Sequence, residues 1–534
     1  MARRHTSASK DVSVDIDTAL DAMDAETLRE LIRDLLIEFD DRAHSRILDE
    51  IAARAARSQS GWAPDALPSS TVAAILSFAE SAARMGYAEP SEVDEYLRQG
   101  IHAFLARDYR SAFRVFGALL PPLGEGEIYL GQHEMLDEVL SVDTAACAAM
   151  HVVASYMSVN HAQRADAVWT AIEDVHALGI FLQPLREMER VAVESLPQFD
   201  DFLHRWRALI EERRGGSDSE WDTDEDRWLR EVIERTEGAE GLAELARVSK
   251  RANDLRAWCH ALTAANDWEA AFAAYKEAAD TVTSNAFARA GFLDGVALAA
   301  QMLERNDLHQ HLERAWREVP TLLRLRRWLG SAKSGAVLRK RAQQALEACP
   351  KKTVRQLALL HVVLGDLKSA AAFLADAPGL GWSDTEHPGH LLFPLFQQLL
   401  GGVEQPIPGE FEFVSSGEWD VDQLDWMAHE QDEPQLDTPG VNEILQLGSI
   451  DNAVTGEVRT TMLNAMRKAA EKRVAGVIEN KRRRHYGHAA QLVGICASLD
   501  VAGEKASWAT AIRNAYRRYP AFQRELASCL GHAL

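Results

Sequence analysis

Residues 96–120, YLRQGIHAFLARDYRSAFRVFGALL, contain the pattern that decides the fold of this 534-residue chain. Apolar residues spaced three and four apart occur on both sides of a short polar turn at Asp108, which predicts two helices joined as a hairpin. Gly100 lies in the first predicted helix, and Ala112 and Phe116 lie in the second. Small residues let the two helices approach closely, and we expect the aromatic residue after the turn to wedge between successive hairpins.

Two later stretches keep the same offsets between the turn and the residues that follow it. Residues 255–279 have the turn Asn266, Asp267 and Trp268, followed by Ala271, Tyr275 and Ala278. Residues 354–377 have the turn Gly365, Asp366 and Leu367, followed by Ala370, Leu374 and Ala377. Helical periodicity recurs over most of the remaining chain, and strand-like alternation is almost absent. The sequence therefore predicts an all-α protein built from stacked helix pairs.

This repeated pattern resembles the tetratricopeptide repeat (TPR) in a divergent form. Cys259 and Ala358 stand where that family prefers Gly, and His311 stands where Ala is expected after the turn at residues 306–308. The resemblance implies a superhelical α-solenoid of TPR-like antiparallel helix hairpins, which bury their apolar faces by stacking, with a C-terminal helical cap. It also implies a scaffold whose inner surface binds a protein partner.

Composition is typical of a folded protein in a reducing compartment. Hydrophobic residues make up 47% of the chain and charged residues 26%. No apolar run approaches the ~18–20 residues of a membrane-spanning helix, and no apolar segment follows the basic residues near the N-terminus. Five scattered cysteines form no C-x-x-C pair. We therefore expect an acidic, soluble protein of the bacterial-type cytoplasm that contacts no membrane.

Breaks in the helical pattern predict six segments. They are a disordered tail (1–15), N-terminal helical repeats (16–214), an acidic linker (215–224), central TPR-like repeats (225–376), a Pro- and Gly-rich acidic insertion (377–455) and C-terminal helical hairpins (456–534). Residues 401–440 of the insertion contain eleven Asp or Glu and no Lys or Arg. The sequence leaves open whether this part is an ordered loop, an autoinhibitory segment or a docking motif.

Two basic segments stand out in a chain whose formal net charge is −23. Residues 321–356 carry ten Lys or Arg against one acidic residue, and residues 459–484 carry nine against two. Their candidate partner-binding residues are Arg324, Arg326, Arg327, Arg339, Lys340, Arg341, Arg482, Arg483 and Arg484.

Three interpretations of these segments stay open. The first is a set of solvated helix faces, the ordinary role of clustered charge. The second is docking of an acidic protein segment, including residues 401–440 of the same chain, because guanidinium groups bind carboxylates through paired hydrogen bonds. The third is contact with nucleic-acid phosphates, with Trp328, His485 and Tyr486 available for stacking. The acidic net charge makes this third interpretation less favoured.

No stretch predicts a catalytic residue, a cofactor site or a metal site. His387 and His390 are separated by Pro and Gly, which interrupt the helical presentation of a metal-ligand pair. No G-x-x-x-x-G-K-[ST] phosphate loop occurs. The helical layout also resembles regions that accompany bacterial SWIM zinc-finger domains, but the Cys-x-Cys and Cys-x-His signature of that finger is missing.

The favoured expectation is therefore a non-catalytic helical-repeat scaffold that mediates protein–protein interaction, with a partner that the sequence leaves unidentified. The alternative is a nucleic-acid-associated accessory factor that uses basic segments 321–356 and 459–484.

Overall fold

The computed structural model describes residues 19–20, 22–58, 61–131, 136–178, 181–215, 222–382, 384, 386–401, 434–499 and 505–530. Within these ranges the chain forms 25 α-helices and no β-strand, which confirms the all-α prediction. No helix in the described ranges is long and apolar enough to cross a bilayer. The predicted tail 1–15, residues 216–221 of the predicted linker and residues 402–433 of the predicted insertion lie outside the described residues.

The chain divides into two compact units, residues 1–241 and 242–534. The helices of the first are α1 (Ala25–Glu38), α2 (Asp41–Arg57), α3 (Ser69–Met85), α4 (Pro90–Leu105), α5 (Tyr109–Gly124), α6 (Leu136–Val139), α7 (Thr144–Ser158), α8 (Arg164–Asp174), α9 (Pro184–Val191) and α10 (Phe199–Arg213). Helix α11 (Asp224–Ser249) contains the residue at which the units divide, and its helical geometry breaks at Gly238 (φ 63°, ψ −150°).

The second unit contains the remaining helices. They are α12 (Ala252–Ala264), α13 (Trp268–Thr281), α14 (Ala286–Met302), α15 (Leu308–Glu318), α16 (Leu322–Gly330), α17 (Gly335–Ala348), α18 (Val354–Val363), α19 (Leu367–Asp376), α20 (Gly389–Leu399), α21 (Val441–Gly448), α22 (Gly456–Glu479), α23 (Tyr486–Ser498), α24 (Lys505–Ala515) and α25 (Pro520–Leu530).

The three hairpins with the repeated sequence pattern share one turn. After the first helix of each comes a residue with left-handed backbone: Arg107 (φ 62°), Asn266 (φ 56°) and Gly365 (φ 78°). The next residue is an aspartate, whose carboxylate accepts a hydrogen bond from the N–H three residues later and so caps the second helix. The sequence offsets therefore encode a repeated helix hairpin. Its arrangement into a solenoid stays a prediction.

Small residues bring neighbouring helices together, as the sequence suggested. A Cβ atom at Gly100 would lie 2.6 Å from the Phe116 ring, so only glycine fits where α4 meets α5. The Phe116 ring thus packs on Gly100 within its own hairpin. Tyr275 of α13 does reach the next hairpin, because a Cβ atom at Gly295 of α14 would overlap its ring.

In the first unit, helices adjacent in sequence pack on one another, with α5 between α4 and α7. Helix α7 is largely buried. The loop before it is held by Asp94, whose carboxylate accepts hydrogen bonds from the Ser141 N–H and hydroxyl at 2.9 and 2.6 Å. Three tryptophan rings also pack in this unit, with centroids 5.2 to 5.7 Å apart: Trp169, Trp206 and Trp228.

In the second unit, the segment predicted as an irregular insertion contains helices α20 and α21. Helix α20 is almost wholly buried, although Pro394 lies inside it and Pro388 immediately precedes it. Proline normally interrupts a helix, so the sequence pattern indicated a break at the place where this apolar helix lies. Helix α21 packs on α16, α17 and α18.

The last four helices alternate in direction. Trp508, near the start of α24, donates a hydrogen bond to Glu471 of α22 at 2.5 Å, and Tyr516, just after α24, lies near Glu479 at the end of α22. These two contacts show that α22 and α24 run side by side in the same direction. Helices α23 and α25 run the opposite way, with Phe522 at the start of α25 beside Tyr486 at the start of α23. Residues 480–485 and 516–519 consequently lie at the same end of this group.

Candidate functional site

Arg324, one of the candidate partner-binding residues, belongs to the core of the second unit. Its side chain is 1% exposed, and its guanidinium lies 2.7 Å from Asp294 Oδ2. A buried guanidinium requires a compensating carboxylate, because the low-dielectric interior penalises an isolated charge. The ion pair therefore joins α16 to α14, and the buried Arg324 side chain is not accessible to a binding partner.

Arg326 and Arg327 contact the end of the acidic stretch 401–440. Arg326 Nε donates to the Pro439 carbonyl at 3.0 Å, and Arg327 Nε donates to Thr438 Oγ1 at 2.9 Å. The described part of the stretch thus lies against these two arginines, with a carbonyl and a hydroxyl among the groups that they bind.

The next three candidates lie on or beside helix α17. Arg339 Nη1 donates to the Gly448 carbonyl at 3.3 Å, and Arg341 Nη1 donates to the Trp328 carbonyl at 2.9 Å. Lys340 is exposed. Most arginines of segment 321–356 therefore bind groups in other parts of the second unit, whereas the four lysines of the segment are exposed.

The second basic segment divides in two. Five cations within α22 contact other parts of the fold: Arg459, Arg467, Lys468, Lys472 and Arg473. The four that follow the helix, Lys481 and the candidates Arg482, Arg483 and Arg484, are exposed. Trp328 (0% exposed) and Tyr486 (5% exposed) are buried, so these two rings are not accessible for the stacking that the sequence suggested.

A cluster of buried aromatic and basic side chains joins α20, α22 and α23. Trp382, 2% exposed, lies at its centre, with its ring centroid 4.5 Å from that of His387 and 5.0 Å from that of His488. His390 also contacts Trp382, at 5.7 Å. Arg473 Nε donates to His488 Nδ1 at 3.3 Å.

The hydrogen bonds of this cluster fix neutral histidines. His387 Nε2–H donates to the Pro378 carbonyl at 3.0 Å, and the Gly389 N–H donates to His387 Nδ1 at 3.1 Å, so each ring nitrogen has the role that the neutral tautomer requires. Burial is the largest cause of the lowered pKa of His387. Burial likewise lowers the pKa of His390 to about 4, assisted by the Arg355 charge.

His488 shows the same effect more strongly. Burial, followed by the positive charge of Arg473, lowers its pKa to about 3. Protonation of His390 or His488 would place a positive charge near the guanidinium of Arg355 or Arg473, which opposes protonation. The three histidine rings of the cluster are therefore neutral near neutral pH, and Arg473 is its charged member.

A cleft of about 750 Å³ opens beside this cluster, and His387 belongs to both. Its walls are α18, α19 and the described part of residues 377–388. The lining contains one apolar ring, Phe373, and one lysine, Lys352, against the carboxylates of Asp376, Asp384 and Glu386. Lys468 of α22 forms an ion pair with Asp376 at 3.2 Å, so the acidic balance of the cleft comes from Asp384 and Glu386 against Lys352.

Glu386 is the unusual residue of this lining. Its Oε2 atom is buried and has no hydrogen-bond partner among the described residues. A carboxylate oxygen withdrawn from water normally receives hydrogen bonds or an opposite charge. Glu386 is only partly buried as a residue and lines the cleft, so a cation bound there would bring an opposite charge close to its carboxylate.

The described residues contain no group of three or more His, Cys, Asp or Glu arranged to hold a metal ion. Cys147, Cys259 and Cys496 are buried, and burial raises their pKa values well above the ordinary thiol range. Burial also raises the pKa of Cys349. These thiols stay protonated and have core character.

Neither the models of known protein families nor the curated proteins match this chain.

Sequence reasoning located the cations but missed the cleft. The sequence argues against His387 and His390 as a metal-ligand pair and gives them no other role, whereas the structure places both rings against Trp382, which also contacts His488. The available signal was the run from Trp382 to His390, which combines aromatic, acidic and histidine residues immediately before an apolar helix.

Proposed function

We propose that this chain is a non-catalytic helical-repeat scaffold, and that an extended segment of a protein partner binds in the cleft formed by α18, α19 and residues 377–388. The single observation that carries the proposal is the buried Glu386 oxygen, without a hydrogen-bond partner among the described residues, in a lining with three carboxylates and one lysine. A partner segment with a Lys or Arg side chain would complement this charge.

The surroundings of the cleft suit recognition of a peptide. Helices and a buried ring cluster support its walls, so little conformational entropy is lost when a ligand binds. Phe373 provides an apolar contact beside the acidic groups, which favours a segment that carries an apolar side chain next to its cation.

Selection from a random peptide library on the purified chain tests the proposal. Selected peptides should be enriched in Lys or Arg with a neighbouring apolar residue. The Glu386→Gln variant keeps the shape of the side chain and should weaken their binding roughly tenfold to a hundredfold, as expected for the loss of a charged hydrogen-bonding partner. Fluorescence anisotropy with labelled peptides measures the change.

Glu347→Gln is the matched control, because Glu347 is an exposed carboxylate on α17, outside the cleft lining. Its affinity for the selected peptides should equal that of the unaltered chain. Selection of peptides without a cation, or equal loss of affinity in both variants, would contradict the proposal.

A further inference from the structure

The C-terminal helices bring two basic turns to one end of the second unit. Helices α22 and α24 end there, and α23 and α25 begin there. Phe522 lies between the turns, because its ring centroid is 5.9 Å from that of Tyr486 and 6.0 Å from that of Tyr516. The cations of the two turns are Lys481, Arg482, Arg483, Arg484, Arg517 and Arg518. We call residues 481–485 and 516–519 the basic end.

All six cations of the basic end are exposed. No carboxylate among the described residues forms an ion pair with any of them, and the one hydrogen bond made by their side chains joins Arg484 Nε to His485 Nε2 at 2.9 Å. Two exposed acids flank the turns, Glu479 at the end of α22 and Glu525 within α25. Positive charge therefore predominates at the basic end, despite the acidic balance of the whole chain.

An accessible aromatic ring lies among these cations. Tyr519 is 41% exposed, and its ring centroid lies 6.2 Å from that of Tyr516, which supports it from the interior side. Two helix N-termini and two helix C-termini meet at this end, so their dipoles offset one another and the positive potential comes from the side chains. Cations that follow a phosphate backbone, combined with a ring on which a base stacks, are the usual elements of a surface for single-stranded nucleic acid.

We propose that the basic end binds single-stranded nucleic acid, with its arginines on the phosphates and Tyr519 stacked on a base. The exposed ring favours this ligand over an acidic peptide, which needs cations but no stacking surface. It also favours single strands over duplexes, whose bases are already stacked on one another. The proposal is independent of the cleft, since the cleft and the basic end share no residue.

Fluorescence anisotropy with a labelled oligothymidine of about 20 nucleotides tests the proposal, because that length exceeds the usual site of one small binding surface. With four to six phosphate contacts, affinity should fall roughly a hundredfold between about 50 and 200 mM salt. The paired variants Arg482→Ala/Arg483→Ala and Arg517→Ala/Arg518→Ala should each reduce the slope of log affinity against log salt by about 1.4.

Tyr519→Ala has a different expected signature. Loss of one stacked base should weaken binding about tenfold while the salt slope stays unchanged. Lys333→Ala/Lys340→Ala is the control, because it removes two exposed cations from the other basic segment. It should leave both affinity and slope as they are. Circular dichroism verifies that each variant retains its helix content.

Three outcomes would overturn the proposal. One is the absence of binding at the lower salt concentration. The second is binding that the turn variants leave unchanged while the Lys333/Lys340 control weakens it. The third is binding of a Glu-rich peptide of equal length as tightly as the oligothymidine, which would assign the basic end to an acidic protein segment. None of these results bears on peptide binding in the cleft.

Discussion

Lowering the pH from 7 to 5 should destabilise the second unit by about 4 kcal/mol through two buried histidines. An ordinary histidine pKa is 6.5, whereas the pKa of His390 is lowered to about 4 and that of His488 to about 3. The unfolded chain therefore binds protons at pH 5 that the folded chain does not bind. Between pH 6.5 and the folded pKa, each histidine costs about 1.4 kcal/mol per pH unit, or about 2 kcal/mol at pH 5.

The sign follows from the direction of the shifts. A lowered pKa in the folded state contributes stability that is fully present above pH 6.5 and is lost as the pH falls towards 4 and 3. The charged groups that face the two rings add to this effect. Arg473 on α22 and Arg355 on α18 are positive at every relevant pH, and His387 would become positive on acidification.

Hydrogen exchange measured by mass spectrometry gives the free energy of opening for peptides from α20 and α23 at each pH. His488→Asn keeps an acceptor near Arg473 Nε but does not titrate, so the loss between pH 7 and 5 should shrink by about 2 kcal/mol. The comparison within each variant across pH removes any constant packing cost. His204→Gln, at an exposed position of α10, should behave as the unaltered chain.

Two results would refute this reasoning. One is a loss below about 1 kcal/mol between pH 7 and 5 in the unaltered chain, since a single buried neutral histidine should exceed that value. The other is an equal loss in the unaltered chain and in His488→Asn, which would attribute the acid effect to carboxylates elsewhere.

Two further substitutions test the packing. Asp294→Asn leaves the buried Arg324 guanidinium without its carboxylate and should lower the free energy of unfolding by about 3 kcal/mol in urea titrations; Asp280→Asn, which removes half of an exposed ion pair, should change it by less than about 1 kcal/mol. Gly100→Ala places a methyl group 2.6 Å from an aromatic ring and should cost about 1–3 kcal/mol by the same measurement. Gly456→Ala, with open space around it, is its control, and equal effects would contradict the packing argument.

The helix hairpins were predictable because their signals are local. An aspartate that caps a helix, a left-handed residue before it and a small residue where two helices meet all act within about 25 residues of sequence, so the stretch 96–120 contains everything that α4, α5 and their turn require. Helix α20 was missed because its prolines imitate a break, and its burial depends on helices distant in sequence.

The sequence did not predict which Lys and Arg side chains are buried and which are exposed, because a count of charges does not show what packs against each side chain. Arg324 and Arg482 look alike in the sequence, yet one is buried against Asp294 and the other is exposed. The difference arises from contacts between residues separated by about 30 positions, which the sequence pattern does not encode. The cleft was missed for the same reason, since its walls come from separate elements.

The cations on and after helix α22 differ in whether the fold provides acceptors for them, and those without an acceptor in the described part of the chain indicate a binding surface. Lys468 and Lys472 lie along its side, where it packs on α19, and they bind Asp376 and the Ala375 carbonyl at the wall of the cleft. Cations in such positions are explained by the fold itself. Those of the basic end follow the last turns of α22 and α24 and meet no such acceptor among the described residues. Solubility does not account for them either, because they reduce the magnitude of a net charge that is already −23. Six like charges held together in this way repel one another, and a polyanionic ligand is the partner that would relieve this repulsion.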